Sequence, residues 1–212
     1  MNVKNHGNAN RKNARGRILK TALIEFAAGG FSGARMDRIA AKADINKAML
    51  YYYFSSKKTL YKNVLQGVLQ EFLPQIQPFL APEMTPAELL EKLPDAYIRF
   101  FSKNQNILKI IAIDLLQNPG DISLIFREAL NSGETAIPGQ LQKLIRKWSA
   151  EGQLSEPDPV HFMLNIVSLS LFFFIGKPII ETIFEKTILE DERFYRKRIQ
   201  SVANVLKRGM LK

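Results

Sequence analysis

Residues 34–60 read ARMDRIAAKADINKAMLYYYFSSKKTL, two short helical patterns on either side of a three-residue break. Met36, Ile39, Ala40 and Ala43 recur at the spacing of one helix face, with Arg35, Asp37, Arg38 and Lys42 on the other side. Asp44-Ile45-Asn46 forms the break, and the Asn46 side chain is suited to accept from the amides of the turn that follows. The second pattern is brief, about Lys47 to Tyr53. Leu50 and Phe54, four apart, share an inward face, which leaves Lys47, Ala48, Met49, Tyr51, Tyr52 and Tyr53 largely outside. A short outward-facing helix behind a tight turn, with Lys57 and Lys58 after it, is the form of a helix-turn-helix whose second helix enters a DNA groove.

Working toward the N-terminus, Ile18, Ala22 and Phe26 with Leu19 and Leu23 make one apolar stripe, predicting a helix from about Ala14 to Ala28 that Gly29-Gly30 stops. Residues 1–13 are polar, Asn-rich and without apolar periodicity, and read as a flexible basic arm. Toward the C-terminus, Ser55-Ser56 caps a helix from Lys57 toward Phe72. Pro74, Pro78, Pro82 and Pro86 then punctuate a loop-rich passage. Further helices are expected at about 86–103, 105–117, 122–131 and 135–151. An apolar helix follows at 160–175, which Gly176 and Pro178 break, then a short helix near 179–186 and a last one at about 191–208. No run alternates with period two, so the class is all-α: an N-terminal three-helix helix-turn-helix domain, residues 14–60, and a C-terminal helical domain, residues 61–212.

Charge divides the chain in the same way. Residues 1–70 hold 13 Lys and Arg against 3 Asp and Glu, while the rest holds 17 of each, so the whole net charge of +10 lies in the first third. A basic module joined to a neutral one points to a polyanion partner for the first alone. The absence of cysteine excludes disulfides and thiolate chemistry and fits a reducing, cytoplasmic setting; no secretory signal is visible. Two histidines, no dense His/Asp/Glu cluster and no phosphate-binding glycine motif leave catalysis, a metal site and a cofactor without means, so no catalytic residue is expected.

The residues Ile18, Ala22, Phe26, Gly30-Phe31, Ile39-Ala40, Ala43, Ile45, Leu50-Tyr51, Phe54, Ser56-Lys57 and Leu60 resemble, in order and spacing, the N-terminal domain of the TetR family of transcriptional regulators. The rest of the chain is similar only in plan. The resemblance implies a recognition helix at Lys47–Tyr53 in the major groove, with Tyr51 and Tyr53 at phosphate or base contacts, Lys57 at a phosphate, and Arg35 and Arg38 on a second helix that crosses the backbone. Two residues depart from the pattern: the threonine common near Arg35 or Met36 is missing, and Asp44 stands where glycine is usual in the turn.

Physical chemistry gives these positions their roles. Arg35, Arg38, Lys57 and Lys58 are candidates for phosphate contacts, which supply affinity and salt dependence. Lys47 is placed to reach guanine, Ala48 and Met49 to touch thymine methyls, and Asn46 to hold the helix start. One such helix reads few base pairs, so a homodimer on a palindromic operator is expected, its seam formed by HFMLNIVSLSLFFFIG, residues 161–176, and the final helix. His161 and Asn165 interrupt that apolar run, which argues for a seam rather than a membrane span. By resemblance, a small apolar or amphipathic effector enters a cavity of the C-terminal helices, with Phe100, Phe101, Trp148, Phe162 and Asn165 as candidate lining, and releases the operator. The alternative reading is an architectural DNA-binding protein indifferent to sequence.

Overall fold

A computed structural model describes residues 3–117, 119–131, 136–155 and 157–212; within 3–12 it describes the backbone alone. Among these residues there are ten α-helices and no strand, only an isolated antiparallel bridge between Leu154 and Leu211. The helices are α1 (Val3–Gly33), α2 (Met36–Lys42), α3 (Lys47–Phe54), α4 (Lys57–Ile76), α5 (Pro86–Lys103), α6 (Gln105–Gln117), α7 (Pro119–Leu130), α8 (Ile137–Ala150), α9 (Pro159–Ile183) and α10 (Glu192–Met210). A 3-10 turn, Gln77–Leu80, follows α4.

The chain forms two compact units: residues up to Glu71 together with Asn106–Ala129, and Phe72–Gln105 together with Leu130–Lys212. The sequence reading placed its division at residue 60, whereas these compact units part at Glu71 and take Asn106–Ala129 into the first. Helices α6 and α7 fold with the head because their side chains are bonded to it. Asp114 accepts hydrogen bonds from Phe31 and Tyr61, and Asp121 and Glu128 pair with Lys58 and Lys62.

In the first unit the stripe Ile18, Ala22 and Phe26 is buried with Ile39, Leu50, Phe54 and Leu60. Full burial of each large side chain contributes roughly 1.5–3 kcal/mol. Residues 3–13, expected as a flexible arm, continue α1 as helix. They contain no proline, and an existing helix gains one hydrogen bond for each residue added. The kink at Gly30 ends the straight run where the glycine pair was expected to end it.

In the second unit α5 packs against α10 and α9, and α8 against α9 and the 3-10 turn. Helix α5 begins with a complete capping box, Thr85 with Glu88, and buries Leu89, Leu90, Leu93, Ile98, Phe100 and Phe101. Two proline signals misled the sequence reading. Helix α4 runs through Pro74 because Phe72 and Ile76 on either side are both buried. Helix α9 runs through Gly176 and Pro178 to Ile183 as one element. Its far end is tied down by Lys177 to Glu190 and by the Ile188 amide to Glu181, which offsets the hydrogen bond that proline removes.

Candidate nucleic-acid interface

The turn between α2 and α3 is built by three local devices. Asp44 adopts a left-handed φ of 53°, which a short polar side chain tolerates. The Ile45 amide donates to the Ala40 carbonyl at 3.1 Å, closing the loop. Asn46, in extended conformation, accepts from the Met49 amide at 2.8 Å and so caps α3. At the start of α2, Arg35 is the N-cap and makes no side-chain capping bond, as the missing threonine implies.

Helix α3 buries only Leu50 and Phe54. Its other surface presents Lys47, Ala48, Met49, Tyr51 and Tyr52 to solvent, and Tyr52 is 74% exposed. Tyr53 is half-buried, its ring 5.6 Å from that of Tyr52 and tilted against Phe54. Aromatic faces, one methionine and one lysine on a rigid, capped helix are the materials of groove contact.

Three of the predicted phosphate cations, Arg38, Lys57 and Lys58, already have partners within the first unit. Glu25, on α1 and 3% exposed, accepts from Arg38 Nε at 2.5 Å and Lys42 Nζ at 3.2 Å, and Arg38 also donates to the Gly33 carbonyl. Lys57 donates to the Ser32 carbonyl at 3.1 Å and lies 4.9 Å over the Phe31 ring. Burial lowers its pKa, against the opposing pull of Asp114. Lys47, expected to face a base edge, is at the surface but paired with Asp37 at 2.7 Å. Hydrogen bonding raises the lysine and lowers the aspartate. These partners pre-orient the side chains.

Three predictions arise here. Lys47→Ala changes preference at one base pair by ~1–3 kcal/mol if the lysine leaves Asp37 for guanine; equal losses on every operator variant would reduce it to a phosphate contact. Lys57→Ala weakens binding to all duplexes and lowers the salt slope by about 1, read by titration at several salt concentrations. The third concerns pH. Burial tends to raise the Glu25 pKa, but bonds from Lys42 and Arg38 outweigh it and hold the carboxyl below its ordinary 4.5. A depressed folded pKa means the stabilisation is complete above the unfolded value and is lost as pH falls through the folded one. Urea midpoints measured from pH 7 to pH 3 should fall more steeply for the native chain than for Glu25→Gln.

Glu25 and Asp114 were missed as head residues, although the spacing held a signal. Glu25 sits on the stripe of Ile18 and Ala22, and Asp114 on that of Ile107 and Ile110, where an apolar residue is the rule. A charge in such a place is buried with partners or marks a different face.

In the second unit, four of the five candidate effector residues are buried among other rings. Phe100 and Phe101 lie 4.8 and 6.0 Å from Phe72, and Trp148 lies 6.5 Å from Phe162. Asn165, the fifth, is exposed on α9, whose helix turns that face outward with His161 and Ser168. An open groove of about 610 Å³ lies elsewhere, between the 3-10 turn and α8. Leu80, Ala81, Pro82 and Leu144 line it with Gln77, Gln140, Lys143 and Lys147, and none of the five candidates takes part.

Known proteins agree with this architecture. Residues 18–64 match the family model for bacterial regulatory proteins of the tetR family, and residues 86–209 match the tetracyclin repressor-like C-terminal domain. The HTH-type transcriptional regulator RutR of Escherichia coli is 25% identical over 193 residues, covering 91% of this chain and 88% of that protein. The HTH-type transcriptional repressor NicS of Pseudomonas putida is 28% identical over 164 residues, 75% of this chain and 74% of that one. The solved structure of the regulator SCO4942 from Streptomyces coelicolor shares the fold with a TM-score of 0.68 at 23% identity, over 92% of this chain and 97% of its own. A displayed, capped second helix on a basic head, and matches that together span most of the chain, lead to one conclusion: this protein belongs to the TetR family and is a DNA-binding transcriptional regulator, not an enzyme.

Proposed function

We propose that this chain acts in the cytoplasm as a homodimeric repressor that sets two α3 helices on a palindromic operator and lets go when a small apolar or amphipathic effector binds its second unit. The observation that carries the reading is the outward surface of α3, where Met49, Tyr51 and Tyr52 are 39%, 41% and 74% exposed. Large apolar rings left in water on a rigid helix imply a partner surface. In this reading Tyr51 and Tyr52 meet backbone and sugar, while Lys47, Ala48 and Met49 meet base edges. Arg35, Arg38 and Lys57 fix the register on phosphate.

Helix α9 supports the dimer. Phe162, Ile166, Ser170 and Gly176 are buried, and the helix packs on α5 and α10. Phe172, Ile175, Ile179 and Ile183 remain exposed at a three-four spacing that forms one stripe. By length and composition α9 is also apolar enough to cross a membrane. Lys177, Glu181 and Glu190 form ion pairs at its C-terminal part, and one face of the helix is already covered by protein, so a second copy is the better occupant of the other.

For the effector, the groove over α8 combines an apolar floor with Lys143 and Lys147, which suits an amphipathic molecule with an acidic end. Release requires that the effector bind the state that is poor at holding DNA more tightly than the state that is good at it.

The test is selection of bound duplexes from a random pool, followed by competition of the enriched site against random DNA and titration with small molecules. Strong preference for a two-fold site, weakened by at least one candidate effector, is the expected outcome. Equal affinity for selected and random duplexes would make the protein an architectural binder.

A further inference from the structure

We propose that Asp37 is a specificity-determining residue of the DNA-binding surface: its carboxylate, together with the Lys47 ammonium that it holds, reads one G·C base pair in the major groove. The inference rests on the reading above that α3 enters that groove.

Residues 1–70 carry three carboxylates against 13 cations. Two of the three have duties in the fold. Glu25 is buried and accepts from Arg38 and Lys42, and Asp44 occupies the left-handed position of the turn. Asp37 has neither duty. It lies in the first turn of α2 with its side chain 66% exposed, and its Oδ1 accepts from Lys47 Nζ at 2.7 Å. Lys47 opens α3, and its side chain is 60% exposed.

Stability does not explain this pair. An exposed ion pair contributes little to folding. A cation at the first residue of a helix works against the helix dipole. A carboxylate in the first turn of α2 favours that helix, yet this requires no lysine facing it from the next one. What the pair supplies is a donor and an acceptor side by side at the N-terminal end of the recognition helix, where such helices meet base edges.

The edge that fits is a G·C pair. It presents guanine N7 and O6 as acceptors and, next to them, cytosine N4 as a donor. The ammonium on guanine and the carboxylate on cytosine match it at both ends, so the ion pair opens without leaving either group unbonded. An A·T pair in the same register sets the adenine N6 donor against the ammonium and the thymine O4 acceptor against the carboxylate, a mismatch at both. A phosphate takes the lysine alone and leaves the carboxylate beside an anionic backbone. Asp37 therefore also weighs against binding that is indifferent to sequence.

The experiment is parallel selection from random duplexes with the full-length native chain, Asp37→Ala, Lys47→Ala and the double variant. The selected site, its single base-pair variants and a random duplex are then titrated with each protein. Both residues are exposed, so helical content by circular dichroism should stay unchanged. The native chain should prefer G·C by roughly 5- to 100-fold at one position of its site. Asp37→Ala and Lys47→Ala should both relax that same position, and the double variant should relax it no further than the more relaxed single one. Asp37→Ala should also bind random DNA roughly 2- to 5-fold more tightly, and Lys47→Ala should not. Should Asp37→Ala lose helical content, Asp37→Ser takes its place with the same expectations. A folded Asp37 variant that keeps the native preference, or relaxes a different position from Lys47→Ala, overturns the proposal while leaving the placement of α3 intact. A native chain that enriches no sequence removes both.

Discussion

Replacing Gly30 with alanine is expected to lower the stability of the head by about 3 kcal/mol. Two costs add. Gly30 holds φ 64° and ψ −171°, a backbone region essentially closed to residues with a Cβ, at ~1–3 kcal/mol. A methyl group there would also lie 2.6 Å from Ile113 Cγ2 and 2.8 Å from Asp114 Oδ1, and forcing it in costs a further ~1–3 kcal/mol. Gly29 supplies the control, since a methyl group there meets only the Ala34 amide nitrogen at an ordinary 3.8 Å. Urea unfolding of the two alanine variants checks the contrast. A Gly30→Ala chain as stable as Gly29→Ala would mean that the kink is not held as described.

The second large effect concerns assembly. Phe172 and Ile179 are 65% and 63% exposed on α9, so glutamates there disturb little within one chain. In a four-helix seam the same pair would bury four carboxylates per dimer without partners. Phe172→Glu with Ile179→Glu should sediment as a monomer at micromolar concentration with unchanged helical content. The affinity for the two-fold operator should drop by roughly 10²- to 10⁴-fold, because the second head then binds without the benefit of linkage. An intact dimer would place the seam elsewhere.

The helix-turn-helix was legible because local rules govern it. The asparagine cap, the aspartate in the turn and the Leu50–Phe54 face all act within a few residues. The last helix was legible for the same reason, since its apolar stripe is regular. Proline was read too strongly at Pro74 and Pro178, where burial or ion pairs on either side override a local penalty. The allegiance of α6 and α7 to the head was not legible at all. It depends on contacts between residues 53 to 83 positions apart, such as Tyr61 and Phe31 with Asp114. The state of the cations was hidden too: sequence placed Arg38, Lys47 and Lys57 near DNA but could not show Glu25, Asp37 and Ser32 already holding them.

The central claim is that two matched probes approach a duplex from one side. Hydroxyl-radical footprinting of the protein on its selected site measures this directly. Two protected patches on one face of the DNA, related by a two-fold axis and about 34–36 Å apart or a multiple of that, are the expected pattern. A single patch, or even protection along the whole duplex, would contradict it.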